Sequence, residues 1–230
     1  MAPDGMQSIN IPSLQGRVSA DEWKARVNLA CAYRLVAHYG WTHVTANHIS
    51  LRVPGDEEHF LLNPFGLLFD EVTASSLVKI DLDGNKVMDS EFGINQAGYV
   101  IHSAIHGARR DITCAIHTHT EAGMAVSAHK EGLLPLNMSA IRFYERIAYH
   151  DYEGVTIDVE ERKNIVQHLG KHFAMILRNH GLLTLGRNLG EAFYLMYNLE
   201  KACRAQVAAM AGGAELEIPP EHILKKSAEQ

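Results

Sequence analysis

The chain has 230 residues, 47% hydrophobic and 21% charged, which suits one globular α/β or α+β domain with a single core. Its net charge of −6 and scattered basic residues exclude a nucleic-acid-binding face. No run of about 18 apolar residues offers a membrane span, and residues 1–13 lack the basic start and apolar centre of a secretory signal. Cys31, Cys114 and Cys203 are odd in number and far apart, so they are expected as buried, reduced thiols in a cytoplasmic protein. Histidine is abundant, with 14 in the chain, and several occur in spaced pairs.

Residues 1–18 are expected to form a mobile tail, 19–213 one domain, and 214–230 a polar, proline-bearing second tail. The first helix begins at Ser19, with Glu22 completing a capping box. Trp23, Val27, Ala30, Cys31 and Leu35 then recur at helical spacing, and Gly40 ends the run. The pattern turns to β over Thr42–Val53 and His59–Asn63, each closed by a Pro/Gly turn. Thr73 or Ser75 caps a short turn, and Leu77–Leu82 with Lys86–Met88 reads as a hairpin around Asp83-Gly84-Asn85. A second helix spans Gln96 to about Arg109, followed by an apolar strand over Ile112–Thr118 and a helix over Glu121–Lys130. Asp158 and Glu161 cap another helix, stopped by Gly170. Phe173–Leu177 and Leu182–Leu185 are strands flanking a turn at 178–181, and the last long helix runs from Asn188 to Gly212-Gly213. Helices alternating with short, hairpin-linked strands predict a three-layer α/β/α fold with a central, mostly antiparallel sheet.

Ile116-His117-Thr118-His119-Thr120 closes the strand that begins at Ile112. Residues two apart on a strand share a face, so both imidazoles can reach one ion. His180, in the turn before an apolar strand, offers a third nitrogen, and Gly181 beside it permits a sharp bend and close backbone approach. Three histidines leave ligand positions open, as in a catalytic site. A lone His-x-His is also found as a hydrogen-bonded or surface pair. His102 and His106, at i and i+4 on the second helix, point the same way. They suit a metal pair, or a packed face that hydrogen-bonds the site from behind. Tyr144, Tyr149, His150, Asp151 and Tyr152 form a polar-aromatic cluster that serves either as general acids or as ordinary packing. His38, His43, His59 and His168 are assigned to surfaces or helix ends.

Taken in order, Asn47-His48-Ile49-Ser50-Leu51-Arg52, Asn63-Pro64-Phe65-Gly66, the His102 helix, His117-Thr118-His119 and Asn179-His180-Gly181 resemble the class II aldolase/adducin family. The resemblance runs from about Trp23 to Gln206. It is closer to the adducin head domain and its bacterial relatives than to the sugar-phosphate aldolases. It implies the α/β/α fold above and a homotetramer with sites near the subunit boundary. It also implies a divalent metal, zinc first with iron(II) or manganese(II) as alternatives, on His117, His119 and His180. In the aldolases that metal polarises a carbonyl and stabilises an enediolate.

The departures from the aldolase pattern are specific. Gly98 stands where the aldolases carry their proton-shuttling glutamate. Asn47-His48 replaces the first phosphate-binding loop, and Phe65-Gly66 the second. The expected function is therefore a metal-dependent lyase, for aldol cleavage or decarboxylation, on a non-phosphorylated hydroxy-carbonyl or aromatic small molecule. Asn47, Phe65 and Gly66 are expected to bind substrate, and His102, His106 or Glu121 to move the proton. The alternatives are a non-catalytic, adducin-head-like assembly module and a non-heme iron oxygenase.

Overall fold

The computed structural model describes residues 11–55, 58–154 and 159–230. Residues 1–10 of the expected tail over 1–18 and the cap at Asp158 lie outside them. Ser19 caps α1 (Ala20–His38) by accepting from the Glu22 N–H, as the capping box requires. Strands β1 (His48–Arg52), β2 (His59–Leu62) and β3 (Val78–Asp81) follow. Next come α2 (Gln96–Ala108), β4 (Cys114–Thr118), α3 (Glu121–Ser127), α4 (Met138–Ile141) and β5 (Ala148–His150). The chain ends with α5 (Val159–Leu169), β6 (Ala174–Leu177), β7 (Gly181–Gly186), α6 (Leu189–Met210) and α7 (Glu221–Glu229).

The seven strands form one sheet in the order β3-β2-β1-β4-β7-β6-β5. Every pairing is antiparallel except β5 with β6. Side chains alternate across the sheet and meet a helical layer on each face. Ile49, Leu51, Cys114, Ile116 and Leu182 pack with Leu29, Tyr33 and Val36 of α1 and Met196, Leu199 and Cys203 of α6. On the other face Ala115, Leu183 and Leu185 pack with Ile101 and Ile105 of α2 and Ile165 and Leu169 of α5. The expected three-layer α/β/α fold with its mostly antiparallel sheet is what forms.

Several local expectations differ. The apolar stripe of α1 only partly coincides with its buried face: Ala30 is buried and Trp23 half-buried, but Val27 and Leu35 are exposed, and so is the Cys31 thiol, which was expected inside. The side turned inward carries Arg26 and Glu22, whose side chains join at 2.8 Å while Arg26 donates to the Leu77 carbonyl at 2.8 Å. A buried ion pair satisfied by backbone acceptors is invisible to hydrophobic periodicity. Strand β1 begins only at His48, after a turn through Val44 with positive φ. The Lys86 segment contributes a single bridge to Ile80, and β3 pairs instead with β2. Helix α3 stops at Ser127. The second expected tail carries α7, which buries Leu224 and Ala228.

Candidate metal centre

The sheet register decides the site. His48 of β1 pairs across the strands with His117 of β4, and His117 pairs with Leu183 of β7. His117 Nδ1 donates to the Leu182 carbonyl at 2.8 Å, which fixes the tautomer and leaves the Nε2 lone pair free. His119 continues one step beyond β4, and its backbone N–H donates to Asn47 Oδ1 at 2.9 Å. His180 leaves the tight β6–β7 turn, where Asn179 takes a φ of 55° and the His180 N–H donates to the Leu177 carbonyl at 3.1 Å. Gly181 is required there: a Cβ would lie 2.4 Å from the Thr118 carbonyl oxygen.

Three elements thus bring three imidazoles together. His117 Nε2 lies 2.8 Å from His119 Nε2 and 3.2 Å from His180 Nε2, and all three ligand nitrogens lie within 4.8 Å of one another. Tetrahedral ligands at 2.0–2.1 Å from zinc would stand roughly 3.3 Å apart, close to this spacing. Neutral imidazoles meeting nitrogen to nitrogen suit a shared cation better than one another. The donor set, its tautomer and its spacing fit a divalent ion. It contains no carboxylate, and Glu121 is exposed in the first turn of α3 rather than among the residues lining the cavity.

Behind the triad runs a buried polar chain. His48 Nδ1 lies 2.7 Å from His102 Nε2, His102 Nδ1 lies 2.5 Å from Ser50 Oγ, and Ser50 Oγ lies 2.7 Å from His106 Nε2. His102 and His106 are fully buried on α2, so neither reaches the cavity except through His48. The metal-pair option for them is closed, because Ser50 separates their rings and both are spoken for. Asn47, expected to bind substrate, is also fully buried; its amide NH2 donates to the Trp41 carbonyl and its oxygen supports His119. Phe65 and Gly66 sit in the turn after β2, exposed and away from the cavity within this chain.

The cavity, about 320 Å³, is lined by His48, His119, His180, Met124, Asn179 and Tyr152 among others. Of the polar-aromatic cluster only Tyr152 reaches it; the Tyr149 hydroxyl accepts from the Leu133 N–H, and His150 pairs with His168. His43, assigned to the surface, stands with its ring centroid 5.6 Å from that of His119. Sequence reasoning also missed Glu200, a buried carboxylate on α6 that accepts from the Thr120 hydroxyl at 2.5 Å and so braces the residue after His119. His48 and Ser50 carried a readable signal, since their i, i+2 spacing matches the i, i+4 pair on α2.

The profile of the Class II Aldolase and Adducin N-terminal domain matches residues 27–207. The chain belongs to the class II aldolase and adducin family. A crystal structure of an aldolase II superfamily protein from Pseudomonas syringae is 53% identical, with a TM-score of 0.92 over 95% of this chain and 89% of that one. Rat alpha-adducin is 50% identical over 195 residues, covering 83% of this chain but only 26% of that protein. The L-fuculose 1-phosphate aldolase of Glaciozyma antarctica is 27% identical, with a TM-score of 0.82 over 97% of this chain and 86% of that one. Gly98 abuts His48: a Cβ at 98 would lie 2.8 Å from His48 Cδ2, so the imidazole fills the space a larger residue would need.

Burial, above all, holds the site neutral. It pushes His48, His102 and His117 well below the usual imidazole range, with neighbouring histidines adding to the effect. His119 and His106 are pushed down to about 3, by burial first and then by His180 and Arg52 respectively. Unfolded, each histidine would titrate near 6.5. Between about 3 and 6.5 the unfolded chain therefore binds protons that the folded chain refuses, so stability falls as pH falls through that window and is complete above it. The urea midpoint of metal-free protein is expected to drop from pH 7 to pH 5 and to stay level from pH 7 to pH 8, below the range in which the buried Cys114 and Cys203 thiols would begin to favour unfolding. An unchanged midpoint at pH 5 contradicts this electrostatic account.

Proposed function

We propose that the protein is a divalent-metal-dependent lyase whose metal, zinc in the first instance, is held by His117, His119 and His180. The observation that carries the reading is the convergence of three Nε2 atoms with the His117 tautomer already set by Leu182. A bound divalent ion supplies Lewis-acid polarisation of a substrate carbonyl. The chain's own residues do the rest. Leu182 and Asn47 orient the ligand side chains, the His48–His102–Ser50–His106 chain stiffens the floor, and Met124 and Ile101 give the cavity an apolar wall.

The substrate class proposed is a non-phosphorylated hydroxy-carbonyl or aromatic compound. A phosphate dianion needs convergent donors or cations. No Lys or Arg lines the cavity among the described residues, and at the α2 N-terminus Asn95 Oδ1 already accepts from the Gly98 N–H at 3.1 Å. An oxygenase of the two-histidine, one-carboxylate type is disfavoured by the all-histidine set. A second reading, an adducin-like assembly module without turnover, is favoured by the identity to alpha-adducin. Absence of a membrane-crossing helix among the described residues fits the proposed cytoplasmic setting.

Assembly is part of the proposal. The exposed Leu35 of α1 lines a groove shared with Tyr39, Phe193 and Tyr194, and a homotetramer would cover such surface. Light scattering is expected to return a multiple of the 25.5 kDa chain, and a monomer at all concentrations would reject it.

The functional test joins metal and substrate. Zinc-loaded protein is expected to cleave unphosphorylated or aromatic aldols and hydroxy acids in preference to sugar phosphates. His119→Ala is expected to keep its circular dichroism, lose the metal and fall at least a hundredfold in turnover. Efficient cleavage of a phosphorylated ketose at micromolar KM would overturn the substrate class. A protein that takes up no metal would overturn the lyase reading.

A further inference from the structure

A second cavity, of about 470 Å³, lies at the start of β6, the end of that strand away from His180. It shares no lining residue with the cavity at the metal centre. Phe143, Phe173 and Leu195 give it apolar walls, and three cations line it: Arg142, Arg146 and Lys171. The short turn after α4 supplies both arginines. There the Arg146 N–H donates to the Phe143 carbonyl at 2.9 Å and Glu145 takes a φ of 55°, and the two side chains come to line one cavity.

Their neighbours are paired and they are not. Arg109 joins Asp111, and Arg187 joins Glu191. The two carboxylates that line the cavity are both engaged elsewhere. Glu191 accepts from the Arg187 N–H at 2.7 Å, and Glu145 stands 4.0 Å from Lys225. Among the described residues Arg142, Arg146 and Lys171 have no carboxylate partner. Arg142 carries the strongest signal. Its guanidinium carbon lies 5.0 Å from the Tyr194 ring centre, and its Nε is buried with no hydrogen-bond partner. A buried guanidinium donor left unsatisfied costs free energy that an anion would recover. Three like charges around one cavity repel one another, and the same anion would relieve that too.

We propose that this cavity binds a small phosphate-bearing molecule, a phosphomonoester with an apolar or aromatic body. The site is distinct from the metal centre and does not depend on the metal reading, nor does it place a phosphate on the substrate there. Planar guanidinium groups meet phosphate oxygens in pairs, and a dianion with three acceptor oxygens matches two arginines and a lysine. A monocarboxylate brings one charge and two oxygens and leaves the third cation unmet. Phe143, Phe173 and Leu195 suit the body of the ester, since small-molecule sites combine apolar walls with a few convergent polar groups.

Calorimetric titration of the purified full chain tests this, with phenyl phosphate, inorganic phosphate and benzoate as probes. At a salt concentration of about 0.15 M, phenyl phosphate is expected to bind roughly tenfold tighter than benzoate, with inorganic phosphate between them. Arg142→Gln is expected to weaken phenyl phosphate by about tenfold or more, the size of one charged hydrogen bond. Arg142→Lys keeps the charge, loses the planar fork and should weaken it less. Should Arg142→Gln fail to fold, Arg146→Gln combined with Lys171→Gln, both at exposed positions, is expected to give a loss of the same size. Metal uptake is expected to be unchanged in every variant, which separates this site from the three-histidine centre. Equal affinity for phenyl phosphate and benzoate, or no binding at this salt, overturns the proposal, because a diffuse surface charge would behave that way. Phosphate binding that survives the arginine and lysine substitutions overturns it as well, since the anion would then sit elsewhere.

Discussion

The hydrogen bond from His117 Nδ1 to the Leu182 carbonyl joins the two central strands of the sheet to the chemistry at their ends. Leu182 lies in β7 with its side chain in the core against α6, so its carbonyl cannot drift without disturbing that packing. The bond holds the His117 ring, selects its tautomer and aims Nε2 at the space where His119 and His180 arrive. Both of those depend on the same strands. His119 follows β4 directly, and His180 leaves a turn so close that Gly181 abuts the Thr118 carbonyl. A shift of β4 against β7 by one residue would turn His117 to the opposite face and disperse the cluster.

Placing so many imidazoles in a desolvated layer carries a cost that other contacts offset. Each buried nitrogen needs a partner, and the chain from His48 through Ser50 to His106 supplies most of them. His119 Nδ1 and His106 Nδ1 remain without full hydrogen bonds, which is the pattern expected where geometry is arranged for a ligand more than for stability. The opposite face is ordinary core. Cys114, Ile116 and Thr118 alternate with Ala115 and His117 along β4, so one strand serves packing on one side and chemistry on the other.

Much of this was legible in the sequence because the signals were periodic. The i, i+2 pair His117/His119 and the i, i+4 pair His102/His106 are direct readings of strand and helix geometry, and Ser19 and Asn188 sit where helices begin. What escaped did so for physical reasons. The inward face of α1 includes Arg26, Glu22 and Tyr33: Arg26 and Tyr33 donate to the distant Leu77 and Ile49 carbonyls, and Glu22 accepts from Arg26 and Lys79. Strand β5 is three residues long and lies at the sheet edge, too short to carry a period. Asn47 was expected to bind substrate because it stands at the place of the aldolases' first phosphate-binding loop, but only the fold shows that its amide oxygen supports the β4 terminus. Glu200 and Thr120 are 80 residues apart in sequence, so no local pattern could join them.

The account stands or falls on the three histidines acting as one ligand set. X-ray absorption at the zinc edge of the loaded, full-length protein tests this directly. The predicted spectrum has nitrogen and oxygen scatterers alone at roughly 2.0–2.1 Å, with outer-shell scattering that fits three imidazole rings. Sulfur at about 2.3 Å, or outer-shell intensity worth a single imidazole, would place the metal elsewhere and contradict the account.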